Sequence, residues 1–530
     1  MIRTAAIVAT LALLAGSAEA TTPGPFASAA EQQSAMASGA ATSEALVKAA
    51  LARIAAIDRA GPRLNAVIAL NPHALADART LDAERRAGHI RGPLHGVPIL
   101  LKDNIESDDG TAATAGSLAL AANVTGRDAP LVRRLTDAGA VILGKANLSE
   151  WANFRGARSV SGWSAVGGMV RNPHILDRGP CGSSAGSAVA VAAGLVPVAI
   201  GTETDGSVTC PAALNGVVGL KPTVGLVSRT YIVPISPEQD TAGPIARTVT
   251  DAAALLTVIA GSDPTDPATA QADSRKTNYA AALDAQALKG ARIGVMRTNA
   301  GRSPQADVVF ETALAALANA GAVLVEVKSP DAAIRDAIGT AEGAALRAEF
   351  KPAINAYLAG LPAAVKARTL NDLIAFNAAE PRETALFGQE IFQQAAAAPP
   401  LTDAAYIAPR TSARTQAREA LDAMLKEASA DVLVGVSGGP ASVVDPINGT
   451  QGTGSYSTLP AVAGYPHLTV PAGFVSGLPV GLSFIGPAWS EARLLTLGYA
   501  FEQATHARRD PQFLPSLAAA PNIAKAFNPR

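Results

Sequence analysis

Charge is scarce in this chain. Only 16% of the 530 residues are Asp, Glu, Lys or Arg, and 43 basic side chains meet 44 acidic ones for a formal net charge of −1. A protein that grips phosphates needs a basic face, so no nucleic-acid partner is expected. Blocks of like charge are missing, as are runs of Gln, Ser or Pro long enough to stay unfolded. Beyond the N-terminus no segment is apolar for the roughly 20 residues a membrane span needs. No internal repeat or linker divides the chain. Cysteine is reduced to Cys181 and Cys210, which are not spaced as a zinc site. In an oxidising compartment two cysteines can pair. Each sits a few residues from a serine of interest in a tightly folded stretch, however, and two small buried thiols are the preferred reading.

Apolar material is plentiful, at 48% of residues, enough for a large core. With so little charge, the Ala-rich helices are expected to pack on both sides. The first twenty residues stand apart. Arg3 is followed by an apolar run, Ala5 to Ala15, and by the small residues of Ala18-Glu19-Ala20. That is the layout of a secretory leader cut after Ala20. A periplasmic or secreted protein is expected, with no membrane association once residues 1–20 are gone, and residues 21–530 forming one domain.

Residues 42–59 have the spacing of an amphipathic helix, with Thr42 or Ser43 as N-cap, and a second helix is expected over 74–87. The short apolar runs at 97–101, 141–144 and 196–200 are typical of strands covered on both faces. Residues 292–296, 305–320 and 323–325 form a strand–helix–strand unit, and later strands are expected at 431–434, 468–470 and 480–485. Strands interleaved with helices predict an α/β protein: one large mixed, mostly parallel sheet between helical layers. The Ala-rich stretch 331–430 is expected to be a helical cap over one edge.

Chemistry concentrates between Pro180 and Pro222. Cys181-Gly182-Ser183-Ser184-Ala185-Gly186-Ser187 is a Gly/Ser turn feeding a helix of small residues, which brings free N–H groups to a helix start. The nucleotide pattern GxxxxGK[ST] is absent, so a phosphate cradle is disfavoured. After the strand at 196–200, the turn Thr204-Asp205-Gly206-Ser207 can expose a serine Oγ while aiming successive N–H groups at one point. An ordinary structural turn fits those residues equally well. The six histidines sit in no triad-like motif, and there is no GxSxG elbow. Lys102, directly after the apolar run 97–101, is placed to be desolvated. Its ordinary pKa near 10.4 must fall by about three units to act as a base at neutral pH, which is worth about 4 kcal/mol. A lysine extending to solvent beside Asp103 is the simpler alternative.

Taken together, Leu101-Lys102-Asp103-Asn104, Gly182 to Ser187 and Thr202 to Pro211 resemble the amidase signature family of hydrolases. So do Leu94 to Pro98, Gly144 to Trp151, Gly216 to Pro222, Gly464 to Pro466 and Gly477 to Leu482. The likeness spans nearly the whole chain after the leader. It implies the signature fold and a Ser-cisSer-Lys triad, with Ser207 as nucleophile, Ser183 as bridging serine and Lys102 as base. The serines are 24 residues apart, as the family pattern requires, which selects Ser183 over Ser184. The Gly182–Ser183 peptide is then expected to be cis, and the backbone N–H groups of Thr204, Asp205, Gly206 and Ser207 map onto the oxyanion hole. Asp103, Asn104 and Glu203 are expected to brace the site. No metal or organic cofactor is implied.

Many members carry Gly-Gly-Ser before the nucleophile and an arginine two residues after it; here Asp205-Gly206 precedes Ser207 and Thr209 stands in the arginine's place. That weakens subfamilies in which the arginine grips a carboxylate. The motif detail is similar to bacterial peptide amidases, which convert C-terminal peptide amides to the free acid and ammonia. The substrate expected is therefore a peptide or small-molecule amide. A general aliphatic or aryl amidase is the alternative, and a component of an amidotransferase is the remote one. No motif speaks to oligomeric state.

Overall fold

The computed structural model describes residues 23–527, apart from 299–302, 453, 455 and 522. The leader expected at 1–20 lies outside the described residues.

The strands are β1 (Val67–Leu70), β2 (Pro98–Lys102), β3 (Val141–Ala146), β4 (Trp163–Ser164), β5 (Gly168–Met169), β6 (Val198–Glu203), β7 (Val218–Lys221), β8 (Thr241–Ala246), β9 (Arg292–Val295), β10 (Val323–Glu326), β11 (Val432–Gly438), β12 (His467–Val475) and β13 (Leu478–Ile485). β4 and β5 pair with each other. The other eleven form one sheet in the order β1-β3-β2-β6-β8-β7-β12-β13-β11-β9-β10.

The sheet is mixed, as expected, with a different balance of directions. Parallel pairing is confined to the flanks, where β2 joins β3 and β6, and β9 joins β10 and β11. Every other neighbouring pair is antiparallel. The description "mostly parallel" therefore holds for the flanks and fails at the centre. The cause is local. β7 and β8 carry too few consecutive apolar residues to stand out in the sequence, and β12 returns as β13 through the tight turn at Ser476-Gly477.

Side-chain alternation assigns the two faces. Ile99, Leu101, Val198 and Ile200 pack with Leu131, Val132, Leu255, Leu256, Leu494 and Phe501 of the helices Pro130–Asp137, Val249–Ile259 and Glu491–Thr505. Leu100 and Ala199 point the other way, onto Val47, Ala78, Leu81, Ala188 and Val189 of the helices Ser43–Arg53, Ala74–Arg86 and Ala185–Ala192. Each fully buried Leu, Ile or Val contributes about 1.5–3 kcal/mol. The expected helix 42–59 is capped by the Thr42 hydroxyl, and its last turn, Ile54–Arg59, widens into a π-helix.

The Ala-rich stretch forms the helices Ala332–Ala359, Leu370–Ala379, Glu390–Ala396 and Ala404–Ala428. Phe350 and Phe392 stack at 5.1 Å, and Trp151 meets Phe392 edge-on at 5.5 Å. That aromatic cluster also holds Val233 and Ile235, so these helices reach the segments beside the ends of β2 and β6.

Candidate active site

Strands β2 and β6 run parallel and adjacent, with Leu101 opposite Ile200. Their carboxyl ends therefore emerge together, the usual place for a site in a sheet of this kind. Lys102 ends β2 and Glu203 ends β6.

Lys102 is fully buried, which rules out the solvent-reaching alternative. Its Nζ lies 2.6 Å from Ser183 Oγ, 2.8 Å from Thr202 Oγ1 and 3.1 Å from the Thr202 carbonyl oxygen. All three neighbours are uncharged. In its charged form the amine can donate to all three oxygens; in its neutral form, with two N–H donors and one lone pair, it can donate to the two Thr202 oxygens and accept from the Ser183 hydroxyl. Loss of hydration pushes the Lys102 amine down to about 7, against the pull of Asp240 and Glu203, which raise it.

Ser183 is also fully buried, and its peptide bond to Gly182 is cis. The Ser149 N–H donates to the Ser183 carbonyl (3.0 Å), and the Ser184 N–H donates to the Ser207 carbonyl (3.1 Å). The neighbouring hydroxyl of Ser184 is occupied with the β6 backbone, donating to Thr202 O (3.1 Å) and accepting from Thr202 N–H (3.2 Å). Only Ser183 faces the amine. Close approach explains the glycine that follows: a Cβ on Gly186 would lie 2.3 Å from the Ala66 oxygen and 2.4 Å from that of Asn147.

Ser207 sits in the turn between β6 and the helix Thr209–Leu214. Glu203 draws that turn tight, its Oε2 accepting from the N–H groups of Val208 (2.7 Å) and Thr209 (3.0 Å) and from Thr209 Oγ1 (3.3 Å). Gly206 takes φ +75°, and a Cβ there would meet Ser457 Oγ at 2.9 Å. Among the described residues the backbone N–H groups of 204–207 donate to no acceptor. The Ser207 hydroxyl likewise has no hydrogen-bond partner among them, and at 7% exposure it is the most accessible of the three side chains. The structure thus joins Lys102 directly to Ser183, and ties the two serines through the backbone without a hydroxyl–hydroxyl hydrogen bond.

The expected braces are in place. Asp103 accepts from Thr114 Oγ1, and burial pushes its carboxyl up to about 7. Asn104 donates to Thr202 Oγ1 (3.0 Å). Thr202 was legible only as part of a motif, yet it holds the amine through two atoms. Its signal is register: a polar residue ending one apolar strand beside a lysine ending the next. His95, His174 and His467 are all committed elsewhere, to Leu81 O, Asn215 O and Ser483 Oγ.

Cavities border the segments that carry the serines. One of about 220 Å³ borders Asn104, Thr202 and Thr204, with Ile232 to Pro237 opposite. Another, of about 380 Å³, is bordered by Ser161, Leu214, Val443, Cys181 and Cys210. Those cysteines correct the sequence reading: they form a disulfide, with Cα atoms 6.0 Å apart. The tight folding taken as an argument against pairing is what brings them within reach, and both are half-buried rather than enclosed. No group of side chains among the described residues is arranged to hold a metal ion.

The profile of the family described as Amidase matches residues 45–495. A peptide amidase from Stenotrophomonas maltophilia, solved by crystallography, is 53% identical, with a TM-score of 0.87 over 92% of this chain and 98% of its own. A probable amidase of Arabidopsis thaliana is 42% identical over 87% of this chain and 86% of its own length. A Glutamyl-tRNA(Gln) amidotransferase subunit from Halorhodospira halophila is 38% identical over 90% of this chain and 96% of its own.

Proposed function

This chain belongs to the amidase family, and on that premise we propose that it deamidates C-terminal peptide amides through Lys102, Ser183 and Ser207. It is an amide-hydrolysing enzyme; the triad roles and the peptide substrate are the finer reading. The observation that carries it is the fully buried Lys102 amine 2.6 Å from Ser183 Oγ, beside a turn whose four N–H groups donate to no acceptor among the described residues.

The steps follow from those positions. Lys102 accepts a proton from Ser183 as Ser183 takes the proton of Ser207. The freed Ser207 oxygen bonds to the amide carbon, and the carbonyl oxygen becomes an oxyanion facing the N–H groups of Thr204 to Ser207. Removing one such donor typically costs about 10²–10³ in rate. The proton returns by the same path to the amide nitrogen, the C–N bond breaks and ammonia leaves. Water, deprotonated by the reverse relay, attacks the Ser207 ester and releases the acid.

The likeness to a peptide amidase favours a peptide amide. Thr209 supports it too: its hydroxyl is turned inward to Glu203, so this position offers no cation to a substrate carboxylate. Export is part of the proposal, resting on the leader at 1–20 and on the disulfide, which belongs to an oxidising compartment. The likeness to the amidotransferase protein favours a second reading, glutamine deamidation for a partner. Incubating the enzyme with amidated peptides, simple amides and free glutamine, with mass spectrometry of the products, separates the readings. A peptide amide converted to its acid with the backbone uncut is the expected result. Preferred hydrolysis of glutamine or of simple amides would overturn it.

A further inference from the structure

Two short segments carry the serines, and they meet along one seam. Cys181 lies two residues before Ser183, and Cys210 three after Ser207. Across the seam run the Ser184 N–H bond to the Ser207 carbonyl (3.1 Å) and the side-chain amide of Asn215, which donates to Pro180 O (2.8 Å) and Pro211 O (2.7 Å). The third tie is the covalent bond between Cys181 and Cys210. The hydrogen bonds can lengthen and re-form. The disulfide cannot, and it sits nearer to both hydroxyls in sequence than Asn215's anchor points do.

The position matters because the two hydroxyls do not hold each other. Lys102 fixes Ser183, while the Ser207 hydroxyl has no partner among the described residues. Its distance from Ser183 is therefore set by the backbone of the two segments alone. Proton relay tolerates little error, and a misplacement of about 1 Å costs about 10²-fold.

We propose that the Cys181–Cys210 bond is a positioning element of the catalytic apparatus, holding Ser183 and Ser207 in register for proton transfer. The proposal rests on the roles given above to those serines. Opening the bond leaves the sheet intact and slows turnover. Both cysteines border the 380 Å³ cavity, so a small dithiol can reach them. In that exchange the reagent's two thiols become its own disulfide, and two electrons and two protons pass to the cysteines.

The test compares wild type, Cys181→Ser, Cys210→Ser and the double variant, and wild type treated with dithiothreitol, all at 25 °C. Circular dichroism and thiol titration report fold and bond. The readouts are kcat, KM for an amidated peptide, and the rate of Ser207 labelling by a fluorophosphonate, which needs an activated serine but no particular substrate. The expected result is a folded protein with kcat down about 10–100-fold, KM within about threefold, labelling slowed in proportion, and a double variant indifferent to dithiothreitol. A folded, bond-free enzyme with wild-type kcat overturns the proposal. So does unfolding of every bond-free form, which would make the bond a device of stability alone. Wild type that does not label at Ser207 would instead sink the triad assignment, a distinguishable failure.

Discussion

The chemistry comes down to one amine without a counter-ion. Among the described residues Lys102 hydrogen-bonds to hydroxyl and carbonyl oxygens alone, and burial, against the pull of Asp240 and Glu203, holds it down at about 7. A base must be unprotonated to work, so kcat/KM for an amide substrate should fall as pH drops through about 7 and level off above it. A pH profile in which activity holds to pH 5 would contradict this. Linkage has the same sign: a lysine whose folded pKa lies below its unfolded one binds fewer protons when folded, so its contribution to stability rises with pH between about 7 and 10.4. At this scale the sequence was legible wherever a residue ended a strand or sat in a spaced motif. Thr202 and the pairing of Cys181 with Cys210 were not, because both depend on which segments lie side by side.

Among the elements, the unit of β6, the turn 204–207 and the helix Thr209–Leu214 sets the position of Ser207. The turn is closed by Glu203, a fully buried side chain that accepts from the first N–H groups of the next helix and whose carboxyl burial pushes up. Hydrogen bonds to a charged acceptor contribute about 1.5–3 kcal/mol. Glu203→Gln keeps the shape and halves that advantage, so chemical denaturation should show a loss of about 1–2 kcal/mol, and kcat should drop more than KM rises. The helix Ala185–Ala192 is built of small residues so that its first turn can press on Ala66, just before β1, and Asn147, just after β3. Gly186→Ala would force its Cβ against two carbonyl oxygens; a loss of at least 1–3 kcal/mol is expected from overpacking, read as a lower urea midpoint. Strands β2, β3 and β6 were visible as continuous apolar runs. β7 and β8 were not, since each is buried by its neighbours with little apolar sequence of its own.

On the scale of the whole molecule, the site depends on the helices of 332–428 staying docked. One tie is the fully buried Arg155, whose Nε lies 2.6 Å from Glu150 Oε1 while its other nitrogens reach across to donate to the carbonyls of Glu383 (2.6 Å), Phe387 (3.2 Å) and Gly388 (2.9 Å). Arg155→Met removes the three hydrogen bonds to those carbonyls and leaves Glu150, whose carboxyl burial already pushes well up, without its partner, so it should cost at least about 1–3 kcal/mol; Arg155→Lys should rescue little, lacking the fork. An unchanged denaturation midpoint would show that the docking lies elsewhere. The layered sheet could be read from the alternation of strands and helices, and the helical stretch 331–430 from its alanines. The path of those helices could not, because it is set by Phe350, Phe392 and Arg155 meeting residues about 200 positions away.

The most direct measurement is the identity of the covalent intermediate. Rapid mixing with an amidated peptide, acid quenching within milliseconds and peptide mapping by mass spectrometry should find the acyl mass on Ser207. Lys102→Ala and Ser183→Ala should accumulate none while keeping their fold. An acyl group on any other residue, or undiminished acylation of Ser207 without Lys102, would contradict the account.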